Sequence, residues 1–188
     1  QGCRPVGAPY VITRSESNVV HELGGQSALA RLEQVVADLS PDERSIAQRG
    51  GLHIGRVIDE RRTHFGPGDF LIRAVLGADR ESGAVAIGDE APVGATLQFQ
   101  VRDAASADED LRELLSGRRA DGALLFTCNG RGVGLFGEPD HDAAVLDAVV
   151  GGGATAGMFC AGELGPVGGR NFLHGYTASM ILFTDPLG

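Results

Sequence analysis

The chain of 188 residues carries sixteen basic against twenty-five acidic side chains, a net charge of −9, with no basic stripe for a nucleic acid to grip. Every basic residue is Arg, so chemistry that needs a lysine amine (a Schiff base, pyridoxal catalysis, a P-loop) is excluded. The three cysteines, Cys3, Cys128 and Cys160, are too few and too scattered for a disulfide framework. They suit reduced thiols and a cytoplasmic setting. No apolar run approaches the roughly 18 residues of a membrane span, and no signal-peptide pattern is present. The chain opens at Gln1 without a Met, so a segment upstream is expected.

In chain order, Pro9 to Thr13 and Asn18 to Leu23 are short β-branched runs around a polar turn, Ser15 to Ser17, and predict a hairpin. Leu29, Leu32, Val36 and Leu39 have helical spacing after Ser27, a suitable N-cap. Ser40-Pro41-Asp42 ends that helix, and the stretch to Arg49 allows a further helical turn or two. Strand-like runs follow at Leu52 to Ile58, Phe70 to Leu76, Ala84 to Ile87 and Ala95 to Val101. In the last, Thr96, Gln98 and Gln100 alternate with Leu97, Phe99 and Val101, the period of a half-buried antiparallel strand.

Asp103 caps a predicted helix carrying Ala107, Leu111, Leu114 and Leu115. An apolar run, Ala123 to Thr127, leads to a glycine loop from Cys128 to Gly137. A helix starts at Pro139-Asp140-His141-Asp142 and carries Val145, Leu146, Val149 and Val150. A small-residue strand, Ala154 to Cys160, runs into a loop ending near Asn171, and a last strand covers Phe172 to Phe183. The fold class expected is α/β or α+β: a mixed sheet with helices packed on it, and parallel strands joined by crossover helices in the C-terminal third. Two crossovers between Ala95 and Cys160 would put the strand ends bearing Arg102, Cys128 to Arg131, and Glu163 on one edge. An antiparallel return would bring Arg170, Asn171 and His174 there, and that edge is where an open α/β sheet binds ligands.

The motifs along the chain resemble a known family. Gln1 to Gly7, Phe70 to Arg73, Val101 to Ala104, Cys128 to Gly132, Gly162 to Gly169 and Phe172 to Thr177, in that order, are similar to the C-terminal half of the FIST sensory domain. The name stands for F-box and intracellular signal transduction proteins. The resemblance implies a single FIST C-terminal domain over residues 1–188, with the family's N-terminal half absent. It also implies a bacterial, non-catalytic sensory module that binds a small ligand, such as an amino acid, and relays it to a downstream signalling protein. Some family members bind haem and respond to nitric oxide, which makes a haem gas sensor the alternative; no other cofactor is implied. The partners expected are that ligand, the N-terminal FIST half and the signalling protein, with no nucleic acid and no membrane.

The residues themselves suggest how such a ligand is held. Arg131 and Arg170 can clamp an anionic group and Glu163 can receive a cationic one, with Asn129 and Asn171 orienting the ligand and Arg102 at the rim. The competing reading is that an arginine pairs with Glu163 or Asp103 and only fixes loops. Cys128, Cys160 and His174 could form a thiolate with its base, or soft metal or haem ligands, although no CxxC or HxxxH spacing supports zinc. The plain alternative is a buried cysteine that fills space. An enzyme using Cys128 and a protein-interaction scaffold are the remaining alternatives. Gly132 to Gly137 matches GxGxxG, but Glu138-Pro139-Asp140 separates it from the helix that a dinucleotide site requires.

Overall fold

The computed structural model describes residues 1–66, 68–151, 153–167 and 169–185. They form two compact units, one of Cys3–Arg102 and one of Gln1–Gly2 with Asp103–Gly188. Both mix strands with packed helices, and most strand pairs are antiparallel. Among the described residues no helix is long and apolar enough to cross a membrane.

In the unit Cys3–Arg102, the expected hairpin is β1 (Cys3–Glu16) and β2 (Val19–Leu23). The chain continues through β3 (Gln26–Ser27), α1 (Ala28–Asp38), α2 (Pro41–Ile46), β4 (Leu52–Val57), β5 (Phe70–Asp79), β6 (Ala84–Ile87) and β7 (Thr96–Arg102). Ser27 caps α1 by accepting from the Ala30 N–H at 3.3 Å. Ser40 and Glu43 form a reciprocal capping box on α2, which Pro41 opens. The sheet order is β1-β7-β4-β5-β6-β2-β3. Residues 3–11 of β1 pair with β7 and residues 12–16 pair with β2, so the sheet closes on itself and loses most of its open edge. Ile12, Ile54, Ile87, Leu97 and Phe99 are central to its core.

The closed sheet corrects one expectation. β7 is paired along both edges, with β1 and β4, and is buried on both faces: Thr96, Gln98 and Gln100 are buried with their apolar neighbours. Gln98 Nε2 donates to the Gly7 carbonyl at 2.7 Å, and the Thr96 hydroxyl donates to Glu60 at 2.6 Å.

The second unit contains α3 (Ala104–Leu115), β8 (Gly122–Cys128), a 3₁₀ turn Asn129–Arg131, α4 (Val133–Phe136), α5 (His141–Val150) and β9 (Ala154–Cys160). It ends with β10 (Glu163–Val167), β11 (Arg170–His174) and β12 (Ala178–Phe183). The crossover through α5 is present, since β8 and β9 pair in parallel, and β12 returns antiparallel to β8. The crossover through α3 is not. β7 is antiparallel to both its neighbours and belongs to the other sheet, as its alternating pattern suits.

Two more corrections concern this unit. The glycine loop holds the short helix α4, and the segment read as a loop up to Asn171 is the hairpin β10–β11. Leu111 and Leu115 of α3, and Val145, Leu146 and Val150 of α5, pack on Ala123 and Leu125 of β8. Strand alternation puts Thr127 on this helix-covered face and Leu124, Phe126 and Cys128 on the other.

Candidate functional site

Arg131 leaves the end of β8 on a tight turn that the Cys128 sulfur caps, accepting from the Gly130 N–H at 3.5 Å. Its guanidinium, 3% exposed, grips Asp142 in the first turn of α5. Nε donates to Oδ2 at 2.7 Å and Nη2 to Oδ1 at 2.9 Å, the planar fork that arginine offers a carboxylate. Thr127 Oγ1 donates to the same Oδ2 at 2.5 Å. His141 stands between two carboxylates, its Nδ1 3.1 Å from Asp142 Oδ1 and its Nε2 2.8 Å from Asp108 Oδ1. Each ring nitrogen of His141 thus faces a carboxylate oxygen. Arg112 Nε closes the far end on Asp108, at 2.8 and 2.9 Å. Basic and acidic side chains therefore alternate from the surface inward: Arg112, Asp108, His141, Asp142, Arg131. Phe136 roofs the row, stacked on His141 at 3.6 Å between centroids and 5.3 Å from the Arg131 guanidinium carbon.

Burial works against ionisation of Asp142, yet the Arg131 hydrogen bonds and charge, helped by Thr127 and His141, hold its carboxyl below the ordinary aspartate value. A lowered folded value means that this stabilisation is complete above the unfolded aspartate pKa of about 4 and is lost as pH falls through the lower folded value. Urea unfolding midpoints should change little on account of this group from pH 7 to 5 and drop below about pH 4. An asparagine at 142 should flatten its share of that drop.

A cavity of about 240 Å³ opens beside this row. Leu125 and Thr127 of β8, Thr155, Gly157 and Phe159 of β9, and the start of α5 line it, with Arg131 and Asp142 at its polar end. Two polar groups there are unspent. Thr155 Oγ1 is buried without a hydrogen-bond partner, and Arg131 Nη1 has none among the described residues.

Of the residues that the sequence singled out, only Arg131 lines this cavity. Glu163, 2% exposed on β10, is held by Thr177: its Oε2 accepts from the hydroxyl at 2.7 Å and the N–H at 3.3 Å, while Oε1 has no partner among the described residues. Cys128 is buried beside it, its N–H donating to the Thr177 carbonyl at 2.9 Å. His174 lies opposite Glu163 on β11, and Thr177 bonds both Glu163 and the Cys128 N–H. Arg170 and Asn171 are exposed on β11, Arg170 near the Phe172 ring at 5.5 Å, and Asn129 is exposed on the 3₁₀ turn. Arg102 ends β7 opposite Cys3 in the other unit. Arg131 pairs with neither Glu163 nor Asp103. Its partner, Asp142, reads in the sequence as a helix-start residue, and His141 and Thr155 carried no signal beyond position.

Haem, which the resemblance admits, does not fit these side chains. His174 Nε2 donates to the Gly165 carbonyl at 3.0 Å and its Nδ1 takes the Gln1 amide at 3.3 Å, while both nitrogens of His141 are spent on carboxylates. Among the described residues no group of three or more His, Cys, Asp or Glu could hold a metal ion.

Comparison with known proteins agrees with the motifs. Uncharacterized protein Mb0898c of Mycobacterium bovis is 53% identical over 193 residues, covering 100% of this chain and 50% of its own length. Uncharacterized protein Rv0628c of Mycobacterium tuberculosis is 53% identical over 191 residues, 98% of this chain and 50% of its own. The chain thus spans about half the length of the curated relatives it matches. No solved structure matches it significantly. The FIST N domain matches residues 1–26, so part of that half lies within this chain, and the FIST C domain matches residues 28–166. With the C domain spanning most of its length and the motifs in order, the chain belongs to the FIST family of sensory domains.

Proposed function

We propose that the Asp103–Gly188 unit is a non-catalytic sensor for a small anionic metabolite, bound in the cavity between β8, β9 and the start of α5. The observation that carries this reading is a guanidinium fixed by Asp142 that keeps one amino group unpaired where it lines a cavity. A ligand carboxylate would accept from Arg131 Nη1, and a second polar atom would meet Thr155 Oγ1. The carbon skeleton would lie on Leu125 and Phe159. At about 240 Å³ the cavity is smaller than the roughly 300–1,000 Å³ typical of larger ligands, which favours a compact carboxylate such as an amino or keto acid. Glu163 lines another part of the unit, so recognition of an ammonium group by that residue has no support in this cavity.

Calorimetry and thermal shift with a panel of small carboxylates and amino acids test the proposal. At least one should raise the unfolding temperature. Thr155→Val, nearly isosteric, should leave the unliganded protein's stability nearly unchanged and weaken the binder by about tenfold, the worth of a typical hydrogen bond. A panel without a binder, or equal affinity in Thr155→Val, overturns the assignment.

The setting proposed is cytoplasmic, in keeping with three cysteines that form no disulfide. The partners proposed are the rest of the family protein and a downstream signalling protein. The sheet face opposite the helices offers them apolar surface, since Met158, Ile181 and Phe183 are each at least half exposed.

A further inference from the structure

We propose that Cys128 and Cys160 are a redox pair that closes reversibly into a disulfide across the ends of β8 and β9. The two residues are direct partners in the parallel register, which continues unbroken from Gly122↔Ala154 to Cys128↔Cys160. Neighbouring strands lie about 4.8 Å apart, inside the roughly 4.4–6.8 Å between Cα atoms that a disulfide spans. Both side chains leave the sheet on the same side. Their predecessors, Thr127 and Phe159, also register partners, line the cavity on the helix face, so the cysteines share the opposite face. Among the described residues neither sulfur is committed beyond its own strand end: that of Cys128 accepts from Gly130 N–H at 3.5 Å, and that of Cys160 donates to the Met158 carbonyl at 3.7 Å. These are weak contacts that a χ1 rotation releases.

The two thiols differ in access. Cys160 is half-buried and Cys128 is 8% exposed, which sets the order of events. A hydroperoxide is the oxidant. The Cys160 sulfur attacks one peroxide oxygen, the O–O bond breaks, and a sulfenic acid and a molecule of water form. The Cys128 thiol then attacks the Cys160 sulfur, a second water leaves, and the S–S bond is made. Overall, two thiols and one hydrogen peroxide give one disulfide and two waters. A dithiol reverses the step. The bond would tie the turn that presents Arg131 to the segment that enters β10 at Glu163. It does not depend on the identity of any ligand, and transient disulfides of this type are the form in which a reducing compartment tolerates them.

Peroxide treatment of the full chain, followed by denaturing alkylation and peptide mapping, tests the pair. The expected result is a fall from three alkylated cysteines to one, Cys3, with a Cys128–Cys160 cross-linked peptide that dithiothreitol abolishes. Cys3→Ser should still form the cross-link, and Cys160→Ser and Cys128→Ala should each prevent it. Cross-links involving Cys3, or sulfinic acid at Cys160 with Cys128 still reduced, would overturn the proposal.

Discussion

Arg131→Ala is expected to destabilise the chain by about 3–5 kcal/mol, because it strands a buried carboxylate. Asp142 is 4% exposed, and the arginine supplies two of its hydrogen bonds and the charge facing it. With Arg131 gone, desolvation of Asp142 dominates, and its carboxyl should protonate at a pH above the ordinary aspartate value. Acid sensitivity should then move upward, the opposite of the behaviour expected of the intact protein. Replacing both partners by apolar residues of similar volume, Arg131→Met with Asp142→Leu, should recover much of the loss, since a buried ion pair is costly mainly when broken. Urea unfolding of the four proteins, read as a double-mutant cycle at pH 7, measures the coupling. A single-variant loss below about 1 kcal/mol would mean that Asp142 finds water or another donor. The same argument explains why Thr155 is the better probe of ligand binding: Arg131→Ala changes the fold and the site together.

Much of the fold was legible because local signals and long-range pairing agreed. Ser27 announces the start of α1 and Asp103 that of α3, each through a side-chain cap that the sequence displays, whereas Ser40, which reads as the stop of α1, also caps α2. The small residues from Ala154 to Cys160 mark β9 as a strand that the α5 crossover returns beside β8. What failed was inference of which strands share a sheet. Residues 96–102 carry an antiparallel period, but the closure of β1 around β7 joins residues nearly a hundred positions apart. No local pattern shows that Gln98 and Gln100 will be buried. The site divides in the same way. Arg131 stood out as an arginine in a glycine turn after an apolar strand. Its partner Asp142 did not, since an aspartate in the first turn of a helix already has a sufficient reason to be there. Only the docking of α5 on β8 converts that helix-start residue into the counter-charge.

Gly157→Val sets the two levels directly against each other. Strand propensity alone favours valine, by up to about 1 kcal/mol. The structure opposes it, because a Cβ at position 157 would lie 2.0 Å from the Leu125 carbonyl oxygen and 2.9 Å from its carbonyl carbon, both backbone atoms that no side-chain rotation moves away. Relief requires β9 to move off β8 at the centre of their parallel pairing, where Leu125 and Gly157 are register partners. Overpacking of this kind costs about 1–3 kcal/mol, and more when backbone must shift; the expected loss is at the upper end, about 3 kcal/mol. Chemical unfolding reads the stability, and hydrogen exchange at the amides of residues 122–128 reads the pairing. Protection there should fall, while amides of β4 and β7, in the other sheet, should keep theirs. The same shift would deform a wall of the cavity, because Gly157 lines it, so any carboxylate that binds the parent protein should bind this variant more weakly. A Gly157→Val protein with unchanged stability would refute the close approach of the two strands, and with it the reason that glycine rather than a β-branched residue stands at position 157.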